Sequence, residues 1–273
     1  MEQTWITRIP AYRMTDELKT ALPDMNATHQ IITSCFPETD RNIQKTQSKY
    51  RILWRIGSEQ DIETGERRPI LIITSTDKPN LNRMITRYND PGSFIKKYPI
   101  DRIAMELYKN QHLIDITVTM NPTRNSPRED GTHSRYGITD QKNQKKWLIN
   151  KLLGFSKSGR TYEGIGIDFD TDRQGIIGIN PAIKSTGDSD GPIRSSIKKI
   201  PTRKISPYTN TTNISKITER GVEFHSFSVY KVDFTIKWCK VVDPQNFAKA
   251  LGQGAPTPAK AYGCGLVTFS FSA

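Results

Sequence analysis

At 273 residues, 35% of them hydrophobic and 25% charged, the chain can bury one large or two medium cores, and its composition is not that of a charged disordered tail. Its longest apolar runs are a handful of residues against the ~20 a membrane helix needs, and residues 1–13 lack the apolar stretch of a secretory signal, so a cytoplasmic protein without membrane contact is expected. The excess of 40 Lys and Arg over 28 Asp and Glu gives a net charge of +12, gathered as +7 over residues 91–160 and +6 over 193–220 while 161–192 carry −4, a pattern that suits a phosphate polymer as partner or, failing that, plain solvated faces.

Residues 4–9 are short and β-prone. After a turn at 10–16, Leu18, Leu22, Met25, Ile32 and Phe36 recur at helical spacing. Pro23 fits a helix start and not an interior, so the main helix is placed at 24–35 and stopped by Pro37. Residues 50–56 (YRILWRI) and 69–75 (PILIITS) read as a hairpin of two strands across a charged, Gly-containing connection. A short helix is expected at 80–88, and extended segments at 100–107 and 113–120, the second alternating through Ile114, Ile116 and Val118. Residues 121–137, rich in Pro, Ser and Arg, read as a loop, and 144–153 as a helix that sets Trp147, Leu148 and Leu152 beside Lys151 and ends at Gly154. The Ser-, Thr-, Pro- and Gly-rich stretch 181–213 reads as an insertion or mobile loop. Residues 224–238 form the strongest late strand signal, 244–251 a helix with Pro244 at its start, and 266–271 a closing strand. Strand, helix, strand pair, helix, strand thus occurs about once in each half. The expected fold is α+β, with two ferredoxin-like (βαββαβ) domains in tandem at 1–110 and 111–273.

Most motifs dissolve on inspection. Gly164 and Gly166 lack the third glycine of a dinucleotide fingerprint, since Phe169 stands at its place. Asp168, Asp170 and Asp172 resemble a calcium loop, but Arg173 replaces its turn glycine and Ile179 its final glutamate, so a solvated acidic turn is the better reading. Cys35, Cys239 and Cys264 are odd in number and far apart, which suits neither a disulfide framework nor a zinc cluster. No cofactor and no metal is expected.

Two features survive. In AKAYGCGL (259–266), Gly263 and Gly265 flank Cys264 just before a strand; such glycines let backbone amides approach a phosphate, or simply make a tight turn into the strand. Lys260 beside them supplies a charge for a phosphate backbone, whereas Cys264 reads as buried filler rather than nucleophile. The second is His29, one of four histidines, on the helical stripe of Met25 and Ile32. A lone histidine there is ordinarily a core residue, yet imidazole is also the natural proton carrier for cutting RNA without a metal. His112, His133 and His225 have no carboxylate at motif spacing.

Four blocks, TWITRI at the start, HQIITSCFP (29–37), IDITVTMNPTRN (114–125) and AKAYGCGLVTF (259–269), resemble the CRISPR RNA-processing endoribonuclease of type I-E systems, the RNA-cutting component of the Cascade complex. The helix QKKWLINKLLG (144–154) falls where that family has a Trp-Leu helix, so the likeness runs the length of the chain, with gaps chiefly at 155–220. It implies two ferredoxin-like domains that bind a CRISPR repeat hairpin and cut at its 3′ base. Metal-independent attack of the 2′-OH would leave a 2′,3′-cyclic phosphate and a 5′-OH, and the other Cascade subunits are implied as partners. His29 falls on the catalytic histidine, acting as general base or general acid. Lys260 falls on an RNA-facing loop with Tyr262, Gly263 and Gly265, and is the first candidate for a nearby cation that stabilises the charge growing on the phosphate. Asn121 and Arg124 match a strand end that anchors the repeat, with Arg128 and Arg160 as further duplex contacts. The chain departs from the family in two places: no tyrosine precedes His29 by a few residues, where some relatives have a catalytic partner, and Thr257 stands where glycine is expected. The competing readings are a non-catalytic RNA-binding subunit of a ribonucleoprotein, with a structural His29, and a DNA-binding regulator, for which no recognition-helix pair is evident.

Overall fold

A computed structural model of the chain describes residues 4–37, 43–60, 65–86, 91–127, 131, 133–154, 164–169, 177–179, 210–218, 221–229 and 231–272. The first half runs β1 (Thr4–Pro10), α1 (Asp16–Ala21), α2 (Met25–Thr33), α3 (Ile43–Lys49), β2 (Leu53–Gln60), β3 (Arg67–Ser75), β4 (Ile95–Tyr98) and α4 (Ile100–Lys109). The second runs β5 (Ile114–Met120), β6 (Thr123–Pro127), β7 (His133–Gly137), α5 (Gln141–Leu153), β8 (Ile167–Asp168), β9 (Ile177–Ile179), β10 (Asn210–Thr218), β11 (Gly221–Val229), β12 (Val232–Val241), α6 (Pro244–Gln253) and β13 (Val267–Phe271).

Strands β1 to β4 form an antiparallel sheet in the order β2-β3-β1-β4. Alternation along β1 sends Ile9 into the core under the helices and Ile6 to the opposite face. Thr15 caps α1 by accepting from the Leu18 amide, and Asp24 caps α2 through the amides of Asn26 and Ala27. Pro23 between these caps splits the apolar stripe into two helices, which still share one core: Leu18, Leu22, Met25, Ile32 and Phe36 pack with Ile9, Trp54, Leu71 and Ile73.

The second sheet has the order β13-β5-β12-β8, with β9 also pairing β12. Its core joins Ile114, Ile116 and Val118 of β5, Phe234 and Ile236 of β12, Leu148 and Leu152 of α5, and Phe247 and Leu251 of α6. In both sheets the strands of each unit lie in the order fourth, first, third, second, which is the ferredoxin-like arrangement, so the chain is an α+β protein of two such folds in tandem. In the first, the described residues between β3 and β4 hold 3-10 turns at Leu81–Arg83 and Pro91–Phe94 instead of a second helix. The face of the first sheet turned away from α2 meets the second unit, where Ile6, Leu53, Ile70 and Ile72 pack with Leu266 and Arg55 Nη2 donates to Thr268 Oγ1 (2.8 Å).

Several elements differ from expectation. Residues 100–107 are helix and not strand: Ile100, Ala104 and Leu107 share one face, buried in the second core against α6, while Arg102 Nε reaches Glu106 (2.9 Å) on the outside. The expected loop at 121–137 contains the β6–β7 hairpin, which turns near Gly131 at φ +77°. Of the helix expected at 80–88, the described residues 80–86 hold only the turn Leu81–Arg83, and the expected strand at 224–238 is two, β11 ending at Val229 and β12 beginning at Val232. Strand β10 pairs β11 as a two-stranded ribbon and takes 210–213 out of the expected insertion, of which 181–209 lie outside the described residues. Among the described residues no helix is long and apolar enough to cross a membrane.

Candidate active site

His29 lies on the inner side of α2, 4% exposed. Its carbonyl accepts from the Thr33 hydroxyl (2.8 Å), and the Thr28 hydroxyl donates to the Ala21 carbonyl (2.8 Å), so the local polar groups of the helix are satisfied. The imidazole is not: Nδ1 is buried without a hydrogen-bond partner. Burial alone pulls the ring from its ordinary 6.5 to about 4, so it is neutral at neutral pH. The ring that faces it is Tyr262, centroid to centroid 6.3 Å with a 56° tilt.

Tyr262 is brought there by the return from α6 to β13. Gly254 ends α6 at φ +80°; beyond it the Ala255 amide donates to the Gly265 carbonyl (2.8 Å) and the Gly265 amide to Thr119 of β5 (2.7 Å). Thr257 Oγ1 accepts from the Asn121 amide (3.1 Å), clamping the loop to the end of β5. Between Ala259 and Gly263, both left-handed, Lys260–Tyr262 forms a 3-10 turn whose middle carbonyl, on Ala261, accepts from Trp54 Nε1 (3.1 Å). A side chain at Gly263 would come within 3.0 Å of Lys231 Nζ and 3.1 Å of Trp54 Cζ3. Here the glycines allow positive φ and close approach. Their amides are already paired within the protein, Gly263 to the Lys260 carbonyl (3.3 Å) and Gly265 to Thr119.

The structure therefore brings His29, Tyr262 and Gly263 together, across 230 residues of sequence, and places Lys260 and Gly265 in the same loop. Lys260 Nζ donates to the Gln253 carbonyl (2.7 Å), and burial lowers its pKa. Asn121 is buried behind the loop with Oδ1 unpartnered, and Arg124 is exposed on β6, opposite Tyr136 in register. Arg128 and Arg160 lie outside the described residues, as do Asp170 and Asp172, while Asp168 sits in β8 opposite Lys240. Cys264 is fully buried, and burial pushes its thiol up to about 12, consistent with filler. Among the described residues no group of three or more His, Cys, Asp or Glu is placed to hold a metal.

Two residues of this cluster escape a reading of the sequence. Trp54 reads only as a strand residue, and Lys231, one position before an alternating strand, carries no signal of burial. Yet Lys231 is 8% exposed, its Nζ stacked 5.0 Å from the Trp54 ring centroid, with its pKa lowered by burial.

The family model described as CRISPR associated protein matches residues 4–270. No curated protein matches the chain. Among solved structures, a CRISPR endoribonuclease Cse3 bound to 19 nt RNA aligns at 15% identity over 98% of this chain and 99% of that one, with a TM-score of 0.51. Thermus thermophilus Cse3 bound to an RNA representing a pre-cleavage complex gives 15% identity, the same coverage and 0.51. A chain of a CRISPR RNA-guided surveillance complex, pre-nicking, gives 12%, 98% and 99%, and 0.50. At these identities the likeness is one of fold.

Proposed function

The chain belongs to the CRISPR associated protein family, and from that premise we propose that it is a cytoplasmic endoribonuclease that binds a CRISPR repeat hairpin and cuts precursor CRISPR RNA without a metal. The observation that carries the proposal is His29: a neutral imidazole with an unpartnered Nδ1, held against Tyr262 of the loop at 259–265. A ring with its pKa near 4 is deprotonated at neutral pH, which suits a general base rather than a general acid. His29 takes the proton of the 2′-OH, and the 2′-oxygen attacks the adjacent phosphorus. The bond to the 5′-oxygen breaks, its electron pair leaves on that oxygen, and water supplies the proton. The products are a 2′,3′-cyclic phosphate and a 5′-OH.

The other residues serve the RNA. Lys260 is placed to exchange the Gln253 carbonyl for a phosphate, Tyr262, Gly263 and Gly265 form the facing turn, and Asn121 fixes it from behind. Arg124, Arg128 and Arg160 are assigned to base-edge or shape contacts with the duplex. In this reading the 1–110 domain contributes the base and the 111–273 domain the loop. The fold shared with RNA-bound Cse3 and with a surveillance-complex chain supports RNA and further Cascade subunits as partners.

The burial of His29 favours a second reading, in which the protein holds RNA without cutting it and the ring is structural. Incubating the protein with its cognate repeat in EDTA separates the two. Cleavage by wild type, with binding kept and cleavage lost in His29→Ala, is expected of the nuclease; binding without cleavage by either protein establishes the passive RNA holder.

A further inference from the structure

The cluster around the loop also contains a cation, Lys231, that is 8% exposed and is seated on an aromatic ring. Lys231 enters from the strand edge between β11 and β12, and its Nζ makes no hydrogen bond among the described residues; it rests on the Trp54 ring and against the main chain of Gly263. The groups whose fields reach it are Cys264 and Asp233. The thiol stays protonated, and the carboxylate of Asp233 already accepts from Thr119 Oγ1. An ammonium has three donors, and an indole face offers none of them an oxygen acceptor. A cation withdrawn from water this far is costly unless a partner arrives.

We propose that the partner is the scissile phosphate: Lys231 Nζ donates to a non-bridging phosphate oxygen and balances the charge that gathers there as the 2′-oxygen attacks. This rests on the nuclease reading and extends it by naming the charge-stabilising residue. Lys260, the cation visible in the sequence, must give up the Gln253 carbonyl to reach any phosphate, whereas Lys231 has no acceptor to give up among the described residues. His29 Nδ1, buried without a partner, and Lys231 Nζ, seated on Trp54, belong to side chains that adjoin consecutive residues of one turn, Tyr262 and Gly263. A reacting 2′-OH and its phosphate are likewise adjacent, one needing an acceptor and the other a donor. Lys231 keeps its proton throughout. Its fixed seat on Trp54 is the kind of preorganisation that stabilises a developing oxyanion without rearrangement.

The test uses the full-length protein and the repeat hairpin of the CRISPR array beside its gene. The hairpin carries 2′-deoxyribose at the cut nucleotide, so that it binds without reacting, and either a normal scissile phosphate or an uncharged methylphosphonate. Wild type should bind the uncharged form about tenfold more weakly, and Lys231→Met and Lys231→Gln should bind both forms alike. On the reactive hairpin at saturating protein, Lys231→Met should lower the single-turnover rate by about 10²-fold or more. Equal discrimination by wild type and variants, or none by wild type, overturns the assignment. Wild type that binds but never cleaves the reactive hairpin in EDTA defeats the nuclease reading and leaves the methylphosphonate comparison to decide Lys231. Wild type that cleaves while the comparison shows no effect of Lys231 defeats Lys231 alone. Methionine fills the pocket without a buried charge, so the variant should fold, which circular dichroism checks. The wild-type comparison alone can still refute the proposal.

Discussion

Replacing His29 with glutamine should erase a pH dependence of stability that the native ring imposes. In the unfolded chain an imidazole titrates near 6.5; in the folded protein burial holds it near 4. Above pH 6.5 the ring is neutral in both states and contributes nothing. As the pH falls below 6.5 the unfolded chain binds a proton that the folded one refuses, and stability is lost progressively until the folded ring also titrates near 4. At 1.36 kcal/mol per pH unit, the loss is about 2 kcal/mol at pH 5 and about 3 kcal/mol once the pH is well below 4. Glutamine keeps a polar side chain of similar reach and does not titrate, and all other groups cancel in the comparison. Urea unfolding of wild type and His29→Gln at pH 8 and pH 5 should therefore show their stability difference moving by about 2 kcal/mol in favour of the variant at the lower pH. Parallel profiles would refute the argument, because they would mean that the ring titrates alike in both states and is solvated in the native protein. The neutral-base assignment would fall with it.

Gly263→Ala should destabilise the protein by about 1–2 kcal/mol in the same urea assay, since φ is +79° and a methyl there meets Lys231 Nζ and Trp54; unchanged midpoints would mean that the turn is not seated on these side chains. Thr257→Val, nearly isosteric, deprives the buried Asn121 amide of its acceptor and should cost about 1–3 kcal/mol. Amide hydrogen exchange at Asn121 should quicken in that variant, and equal protection would show that the clamp is not formed.

How far the fold could be read from the sequence depended on how locally each element declares itself. Strand β5 alternates through Ile114, Ile116 and Val118, and α6 announces itself with an Asp243 cap and Pro244, so both are legible from neighbours in sequence. The helix at Ile100–Lys109 carries its period in the sequence as well, since Ile100, Ile103, Ala104 and Leu107 recur at i, i+3, i+4 and i+7; the β-branched Ile100 and Ile103 point toward a strand, and the packing on α6 decides for the helix. Strand β4 has four residues and exists because β1 offers it an edge. The Ser-, Asn- and Arg-rich β6 and β7 have no apolar alternation in sequence to betray them, and they pair backbone to backbone.

The site divides along the same line. His29 and the glycines at 263 and 265 are visible because residue type and local spacing are unusual, but their purpose depends on a contact between the two halves. Trp54 on β2 holds the Ala261 carbonyl and carries Lys231 on its face, so one indole joins the first sheet, the loop and the entry to β12. No local pattern announces such a residue, since a tryptophan in an apolar strand is ordinary. The consequence for charge is direct. The +12 of the chain describes how an RNA would be drawn to the protein. Chemistry at one phosphate instead requires a cation withdrawn from water and held in place, and the lysine that meets this description is buried by tertiary contacts rather than marked by a basic run. Surface charge and site charge are therefore carried by different residues, and only the first can be counted from the sequence.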